Sequence, residues 1–232
     1  MFRYHLVHAR EFPSLAQGQA WPDLLSPREE KILAGLGHVP RRRKWLMGRA
    51  AAKRLVRDML GDGQVPEKKI SVLNQPSGEP FVLIEGKGGW DYPISISHRS
   101  EVGMAAVPVA RAVRIGADLE TIEPRDPALV RQFYTEDEAR RVETAIHDRD
   151  EVVSRIWSAK EAVLKLLGLG LRIDTRGVVV NLEGARFSEC PEGWSPVDVN
   201  VIAELPRQHM LDNLRVVWRR EAGFVLTVAV AG

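Results

Sequence analysis

The sequence predicts an α+β protein made of two pseudo-symmetric α+β halves, residues 1–112 and 113–232, in one chain. Three observations lead to this prediction. Both halves carry the same helix-start signature, both continue into a long helix, and in both a strand-like segment precedes the helices while strand-rich segments follow them. Two similar halves would leave a natural cleft between them, so we expect the active site at their interface.

The helix-start signature is found once in each half. It lies in "LLSPREEKILAGL" (Leu24–Leu36) and in "FYTEDEARRVETA" (Phe133–Ala145), where a Ser or Thr is followed three residues later by a Glu. This spacing is typical of a capping box, in which the hydroxyl and the carboxylate each bond the other residue's backbone N–H. We therefore expect a helix to begin at each site.

A longer helix is expected after each of these starts. The segment "RKWLMGRAAAKRLV" (43–56) can be aligned with "RIWSAKEAVLKLLG" (155–168). In this alignment Trp45 matches Trp157 and Lys53 matches Lys165. The strand-like segments around these helices include "FRYHLVHA" and "YPISISH" in the first half, and "AVRIGADLETI", "RGVVVNLEGA" and "VDVNVIAEL" in the second.

Composition excludes several classes of protein. With 232 residues, 44% hydrophobic and 28% charged, the chain can bury a sizeable core, and a net charge of +2 argues against a nucleic-acid partner. The basic run Arg41–Lys44 is interpreted as a solvated loop. The single Cys190 excludes an internal disulfide and fits a reducing cytoplasm. No apolar run is long enough for a signal peptide or a membrane span, so we expect a cytoplasmic protein without a membrane partner.

The segment "IWSAKEAVLKLLGLG" (156–170) looks like a buried helix that carries charges. At about 100° per residue, Ser158, Glu161 and Lys165 fall on one narrow strip, nearly opposite the apolar face. A polar strip on such a helix favours a position facing a cleft. On this helix alone, a solvated Glu/Lys pair four residues apart remains the alternative.

Two acids lie in the strand that opens the second half. In "AVRIGADLE" the apolar residues alternate with Arg114, Gly116, Asp118 and Glu120, so the two carboxylates share one face. We expect this strand to be central in its half and the helix carrying Glu161 and Lys165 to pack on it. Three carboxylates and a lysine would then bind a hard cation such as Mg²⁺ together with a phosphate. Solvated acids on an edge strand are the alternative.

A histidine ends a strand of the first half. In "YPISISH" (92–98) alternation places Ile94, Ile96 and His98 on one face, with Ser95 and Ser97 on the other. A histidine at a strand end is usually structural. Near a phosphate site, its cationic form could bind a phosphate oxygen.

Five motifs together closely resemble the 4'-phosphopantetheinyl transferases of the Sfp type. They are "SGEPF", "ISISH", "IGADLE", "FYTEDE" and "WSAKEAVLKLLGLGL", in the family's order between about Leu25 and Leu171. The resemblance implies a monomeric enzyme that binds coenzyme A and Mg²⁺ between two α+β halves. It would transfer phosphopantetheine to a serine of an apo acyl or peptidyl carrier protein and release 3',5'-ADP, in fatty acid, polyketide or nonribosomal peptide biosynthesis.

The resemblance also implies roles for individual residues. Asp118, Glu120 and Glu161 would bind Mg²⁺, while Lys165 and His98 would contact the coenzyme A phosphates and act in catalysis. Glu161 could instead take the proton of the serine, directly or through a metal-bound water. Further contacts to coenzyme A are implied for Arg43, Lys44, Arg49, Gly78, Pro80 and Ser97.

One position departs from the family. Between Gly78 and Pro80 the family usually has Lys or Arg, whereas this chain has Glu79. The rival interpretations are a Mg²⁺-dependent nuclease, suggested by the acids and the basic run, and a carrier-binding module that has lost activity. The small net charge disfavours the first, and the presence of all three acids disfavours the second.

Overall fold

The structure is a computed structural model that describes residues 1–61, 65–169, 173–183, 187, 190–202 and 211–232. It contains two compact units, Met1–Ala112 and Val113–Gly232. Both contain helices and antiparallel sheets, so the predicted α+β class is confirmed. Among the described residues, none of the helices has the length and apolar character needed to cross a membrane.

The first unit pairs one long helix with two small sheets. Its helices are α1 (Pro13–Ala16), α2 (Pro27–Ala34) and α3 (Val39–Leu60), and its strands are β1 (Phe2–His8), β2 (Ile70–Asn74), β3 (Pro80–Ile84), β4 (Gly88–Gly89), β5 (Ser95–Arg99) and β6 (Val102–Pro108). The strand orders are β1-β6-β5 and β2-β3-β4. Helix α3 packs on the first of these sheets. The basic run Arg41–Lys44 therefore lies in α3 rather than in a loop, because the helix begins at Val39 with Pro40 in its first turn.

The second unit places its long helix on a larger sheet. Its helices are α4 (Pro127–Phe133), α5 (Glu136–Thr144) and α6 (Arg149–Leu167), and its strands are β7 (Arg114–Thr121), β8 (Val178–Asn181), β9 (Ser195–Val201), β10 (Arg215–Glu221) and β11 (Phe224–Ala231). The strand order is β7-β11-β10-β9-β8, and α6 packs on β7 and β11. Residues 203–205 of the predicted segment "VDVNVIAEL" and residues 170–171 of the helix motif lie outside the described residues.

The prediction that β7 is a central strand is wrong. It lies at one end of the five-stranded sheet: among the described strands it pairs with β11 alone, from Arg114↔Ala231 to Thr121↔Phe224. Even so, every residue from Ile115 to Glu120 is buried. The edge position therefore does not make its two acids solvated.

Both predicted capping boxes are present, and their glutamates do more than cap a helix. Glu29 accepts the backbone N–H of Val72 in β2 at 3.0 Å and the ammonium of Lys53 in α3 at 2.5 Å. Glu138 accepts the N–H of Val180 in β8 at 2.8 Å and forms an ion pair with Lys160 in α6 at 2.9 Å. All four charged side chains are at most 1% exposed.

These contacts correct the predicted alignment of the two long helices. Lys53 also donates to the carbonyl of Glu67, in the 3₁₀ turn before β2, and Lys160 donates to that of Thr175, in the 3₁₀ turn before β8. By its contacts, Lys53 therefore corresponds to Lys160. Its predicted match with Lys165 is wrong.

Candidate active site

Each of the two β7 acids lies against a cation of its own unit. Asp118 and Glu120 are 4% and 6% exposed. The ammonium of Lys165 lies 2.7 Å from Asp118 Oδ1 and also donates to the carbonyl of Ala117 at 3.1 Å. The Arg125 guanidinium lies 2.6 Å from Glu120 Oε2. Lys165 and Asp118, which the sequence analysis placed in one site, are thus in direct contact.

Gly116 lets α6 lie directly on β7. A Cβ added to Gly116 would lie 1.9 Å from the carbonyl oxygen of Ala162 in α6, far inside van der Waals contact. Gly116 and Asp118 are two residues apart, so they share a face of the strand. The absent side chain therefore brings the helix close enough for Lys165 to reach Asp118. Sequence reasoning gave Gly116 no role, although a glycine inside a strand is a signal for such a close approach.

Glu161 completes the predicted carboxylate group. Burial raises the pKa of this carboxyl above its usual range, and the negative charges of Asp118 and Glu120 raise it further, whereas Lys165 opposes this effect. Asp118 and Glu120 are therefore near enough for their charges to act on Glu161. Mutual repulsion of this kind is relieved by a bound cation.

The donor set fits a hard divalent cation in its chemistry, since all three groups offer carboxylate oxygens. In the present arrangement, however, no three His, Cys, Asp or Glu side chains among the described residues form a group that could hold a metal ion. In this arrangement Lys165 contacts the carboxylate of Asp118 and Arg125 contacts that of Glu120. The metal assignment stays a prediction.

Arg125 was missed at the sequence level. It follows β7 by four residues, is 12% exposed, and also donates to the carbonyl of Thr121 at 3.1 Å. A second, longer contact of 3.4 Å reaches Glu123. An arginine shortly after two acids was the available signal, but the alternation of the strand does not extend to it.

In the first unit, His98 lies beside α3. A Cβ added to Gly48 of that helix would lie 2.9 Å from Ile96 Cγ2 and 3.9 Å from His98 Cδ2. Ile96 and His98 therefore share the side of β5 that faces α3, as the alternation predicted. His98 is exposed, whereas Ser97 is buried.

The three basic residues predicted to contact the nucleotide have different surroundings. The guanidinium of Arg43 pairs with Glu101, just after β5, at 3.0 Å, and Lys44 is exposed. Arg49 is only 6% exposed and donates to the side-chain oxygen of Asn74 at 2.6 Å. Of the three, Arg49 therefore presents the least surface to a ligand.

Gly78 lies in the turn between β2 and β3, and Pro80 follows directly after this turn. The turn is closed by hydrogen bonds from Gln75 N–H to the Glu79 carbonyl at 2.8 Å and from Gly78 N–H to the Gln75 carbonyl at 2.9 Å. Gly78 has φ of +95°, a value that favours glycine. Glu79 is exposed on this turn, and Pro80 begins β3. That the residues of the two units form one site stays a prediction.

Comparison with known proteins points in the same direction as the motifs. Residues 114–207 match the model of the 4'-phosphopantetheinyl transferase superfamily. The chain is 25% identical over 171 residues to the 4'-phosphopantetheinyl transferase psf-1 of Bacillus pumilus, an alignment that covers 72% of this chain and 69% of the relative.

Solved structures of similar proteins are holo-(acyl-carrier-protein) synthases. The one from Bacillus anthracis, in complex with CoA (3',5'-ADP), has 22% identity and a TM-score of 0.38, covering 46% of this chain and 91% of its own. The one from Thermotoga maritima has 19% identity and a TM-score of 0.40, covering 51% and 62%. The recognition made from the motifs is confirmed by the superfamily model and the Bacillus pumilus relative: residues 114–207 of the chain match the 4'-phosphopantetheinyl transferase superfamily.

Proposed function

We propose that the protein transfers 4'-phosphopantetheine from coenzyme A to a serine hydroxyl of an apo acyl or peptidyl carrier protein in a Mg²⁺-dependent reaction. The observation that carries the proposal is the cluster of Asp118, Glu120, Glu161 and Lys165 on β7 and α6. This cluster lies within the residues that match the superfamily model. Similarity to a synthase solved with CoA (3',5'-ADP) is consistent with coenzyme A as the donor.

The bonds that change are the same for any carrier of this class. The serine oxygen attacks the β-phosphorus of coenzyme A, the bond from that phosphorus to the bridging oxygen breaks, and 3',5'-ADP leaves. The serine proton must go to a base. Such a phosphoryl transfer depends mainly on alignment and on neutralising charge.

Asp118, Glu120 and Glu161 are the residues that would hold Mg²⁺. When bound, the ion would supply positive charge to the pyrophosphate of the donor. Glu161 is also the candidate base, because burial and the neighbouring acids raise its pKa and so increase its affinity for a proton. Glu161 is therefore proposed as a Mg²⁺ ligand, as the base that takes the serine proton, or as both.

Lys165 would offset the negative charge that develops on the leaving 3',5'-ADP. Its side chain is 30% exposed while it contacts Asp118, so part of it is open to solvent. In the first unit, His98 with Ser97 would contact a donor phosphate, and Arg43, Lys44 and the turn bearing Gly78 and Pro80 would contact the nucleotide end.

The experiment is a transfer assay scored by mass. The protein is incubated with coenzyme A, Mg²⁺ and a panel of apo carrier proteins, and each carrier is examined for the added phosphopantetheine. Controls are the same carriers with the acceptor serine changed to alanine, and reactions with a chelator. A carrier that gains the mass only with its serine and Mg²⁺ supports the proposal. Absence of transfer to every acyl and peptidyl carrier would refute it.

A further inference from the structure

A chain of hydrogen bonds links α3 to the turn between β2 and β3. Arg49 Nη2 donates to Asn74 Oδ1 at 2.6 Å, and Asn74 Nδ2 donates to the carbonyl of Gly78 at 2.6 Å. Gly78 in turn is bonded to Gln75, which closes the turn. The side-chain amide of Asn74 therefore connects a buried guanidinium to a surface loop.

The guanidinium is held inside the unit at a cost. Burial lowers the pKa of Arg49 to about 10, because the charged form loses its hydration, and the distant charge of Glu29 only partly offsets this. Its Cζ atom lies 4.7 Å from the centre of the Trp45 ring, a cation–π contact that also holds the group in the interior. A residue held in this way is poorly placed to reach a ligand.

Arg49 and the Gly78 carbonyl together fix the orientation of the Asn74 amide. An asparagine amide has an acceptor side and a donor side, and a guanidinium can only donate. While Arg49 occupies the oxygen, the NH₂ group must face the other way, toward Gly78. The Gly78 carbonyl can only accept and favours the same orientation, so the amide links both partners in one arrangement only. Without Arg49, the amide keeps its bond to Gly78 but loses its anchor on α3.

We propose that Arg49 is a positioning residue, which acts through Asn74 to hold the Gln75–Glu79 turn in the conformation that receives the nucleotide end of coenzyme A. The sequence motifs implied instead that Arg49 contacts coenzyme A itself. The new role rests on the proposed function only for the identity of the ligand. The hydrogen bonds that hold the turn lie entirely within the first unit and do not depend on the ligand.

The two roles are separated by a double-mutant cycle with Arg49→Met, Asn74→Ala and the combined variant. Binding of coenzyme A is measured by calorimetry, and kcat and KM with a responsive carrier. A hydrogen bond to a charged group accounts for about one to two powers of ten in an equilibrium constant, so each single change should weaken coenzyme A binding about tenfold or more. The loss should fall on KM rather than on kcat.

The combined variant decides between the roles. If Arg49 acts through Asn74, the double change weakens binding no more than the stronger single change, within about twofold, because both remove the same link. If Arg49 contacts coenzyme A directly, the two losses multiply, and the proposal is overturned. Arg49→Lys, which keeps the charge but lacks the planar fork, should behave like Arg49→Met and serves if the methionine variant does not fold.

A second readout does not depend on the ligand. Amide hydrogen exchange at Gly78, whose N–H bonds within the turn, should become faster in Arg49→Met and in Asn74→Ala alike. The matched control is Arg54→Met, which removes another α3 arginine with a cation–π contact, to Phe12, and should leave the turn unchanged. If wild-type protein binds no coenzyme A, the proposed function fails while the exchange test stands. If exchange at Gly78 is unchanged in folded Arg49→Met, the positioning role is wrong.

Discussion

The ammonium of Lys165 is bonded to the carboxylate of Asp118 at 2.7 Å. Lys165 is the predicted contact to the coenzyme A phosphates, and Asp118 is a predicted metal ligand. While they are paired, the ammonium occupies the place where Asp118 would bind a metal ion, and the carboxylate occupies the place where Lys165 would bind a phosphate. If Asp118 binds Mg²⁺ as predicted, the ion would compete with the ammonium for Asp118 Oδ1. A metal ion that binds Asp118 through this oxygen would release Lys165 toward the donor.

The first prediction concerns this competition. Lys165→Met should bind Mg²⁺ more tightly than the wild type when coenzyme A is absent, because a cation close to the site has been removed. Transfer should nevertheless fall by a factor of about a hundred or more, since the charge on the leaving group is no longer offset. Calorimetric Mg²⁺ titration and the transfer assay measure the two effects. Lys31→Met, an exposed change in α2, is the control for both measurements. Weaker Mg²⁺ binding by Lys165→Met would contradict the competition.

The second prediction concerns pH. Because the pKa of Glu161 is raised in the folded protein, the folded state holds this proton to higher pH than the unfolded chain does. The associated stabilisation is present below the ordinary value of 4.5 and is lost as the pH rises through the folded pKa. Glu161→Gln should remove that loss and raise the Tm of the metal-free protein at neutral pH, while abolishing transfer.

The check is a series of thermal melts from pH 4 to 8 in chelator, with Glu30→Gln on the exposed side of α2 as the control. Added Mg²⁺ should raise the Tm of the wild type more at pH 8 than at pH 5, since protons compete for the same carboxylates. If Glu161→Gln leaves the dependence of the Tm on pH unchanged, the pKa of Glu161 is not raised in the folded protein and the prediction is wrong.

The third prediction concerns Gly116. Gly116→Ala should destabilise the second unit by about 1–3 kcal/mol or more, because its Cβ meets backbone rather than a movable side chain. The helix α6 would have to move away, which lengthens the Lys165–Asp118 contact and lowers activity in the fraction that folds. Denaturant unfolding measures the loss. Gly37→Ala, where a Cβ meets nothing within 4 Å, should have little effect; equal effects of the two changes would refute the close-approach role.

The fourth prediction concerns Glu79, where the family usually has a cation. Glu79→Lys should increase the preference for coenzyme A over dephospho-coenzyme A, because a cation on this turn can pair with the 3'-phosphate. Arg43→Ala should reduce the preference, if Arg43 leaves Glu101 to bind that phosphate. The measurement is kcat/KM for both donors. Glu85→Lys makes the same charge change at another exposed site of the first unit and controls for net charge. If neither Glu79→Lys nor Arg43→Ala alters the preference for coenzyme A over dephospho-coenzyme A, the nucleotide binds elsewhere.

Local signals in the sequence were sufficient for some of these features. The capping boxes at Ser26 and Thr135 depend on contacts three residues apart, and the shared face of Asp118 and Glu120 depends only on the strand period. Both are visible in a short window of sequence.

Other features depend on distant partners. The edge position of β7 follows from its pairing with β11, which lies about a hundred residues later, and the equivalence of Lys53 with Lys160 follows from the glutamates that each one meets. The helical period places Lys165, and not Lys160, on the strip that carries Glu161, but it does not show which lysine pairs with a capping-box glutamate. Their different roles appear only once the packing of α5, α6 and β8 is known.

The motif "WSAKEAVLK" thus combines two kinds of residue that a loss-of-activity screen would score alike. Lys160 is completely buried, paired with Glu138 and bonded to backbone carbonyls before and within β8, whereas its neighbour Glu161 faces the carboxylate group. Removing one partner of such a buried pair costs about 3–5 kcal/mol. An inactive Lys160 variant would therefore report a collapsed scaffold, and only variants that still melt cooperatively near the wild-type temperature can identify the residues of this motif that perform chemistry.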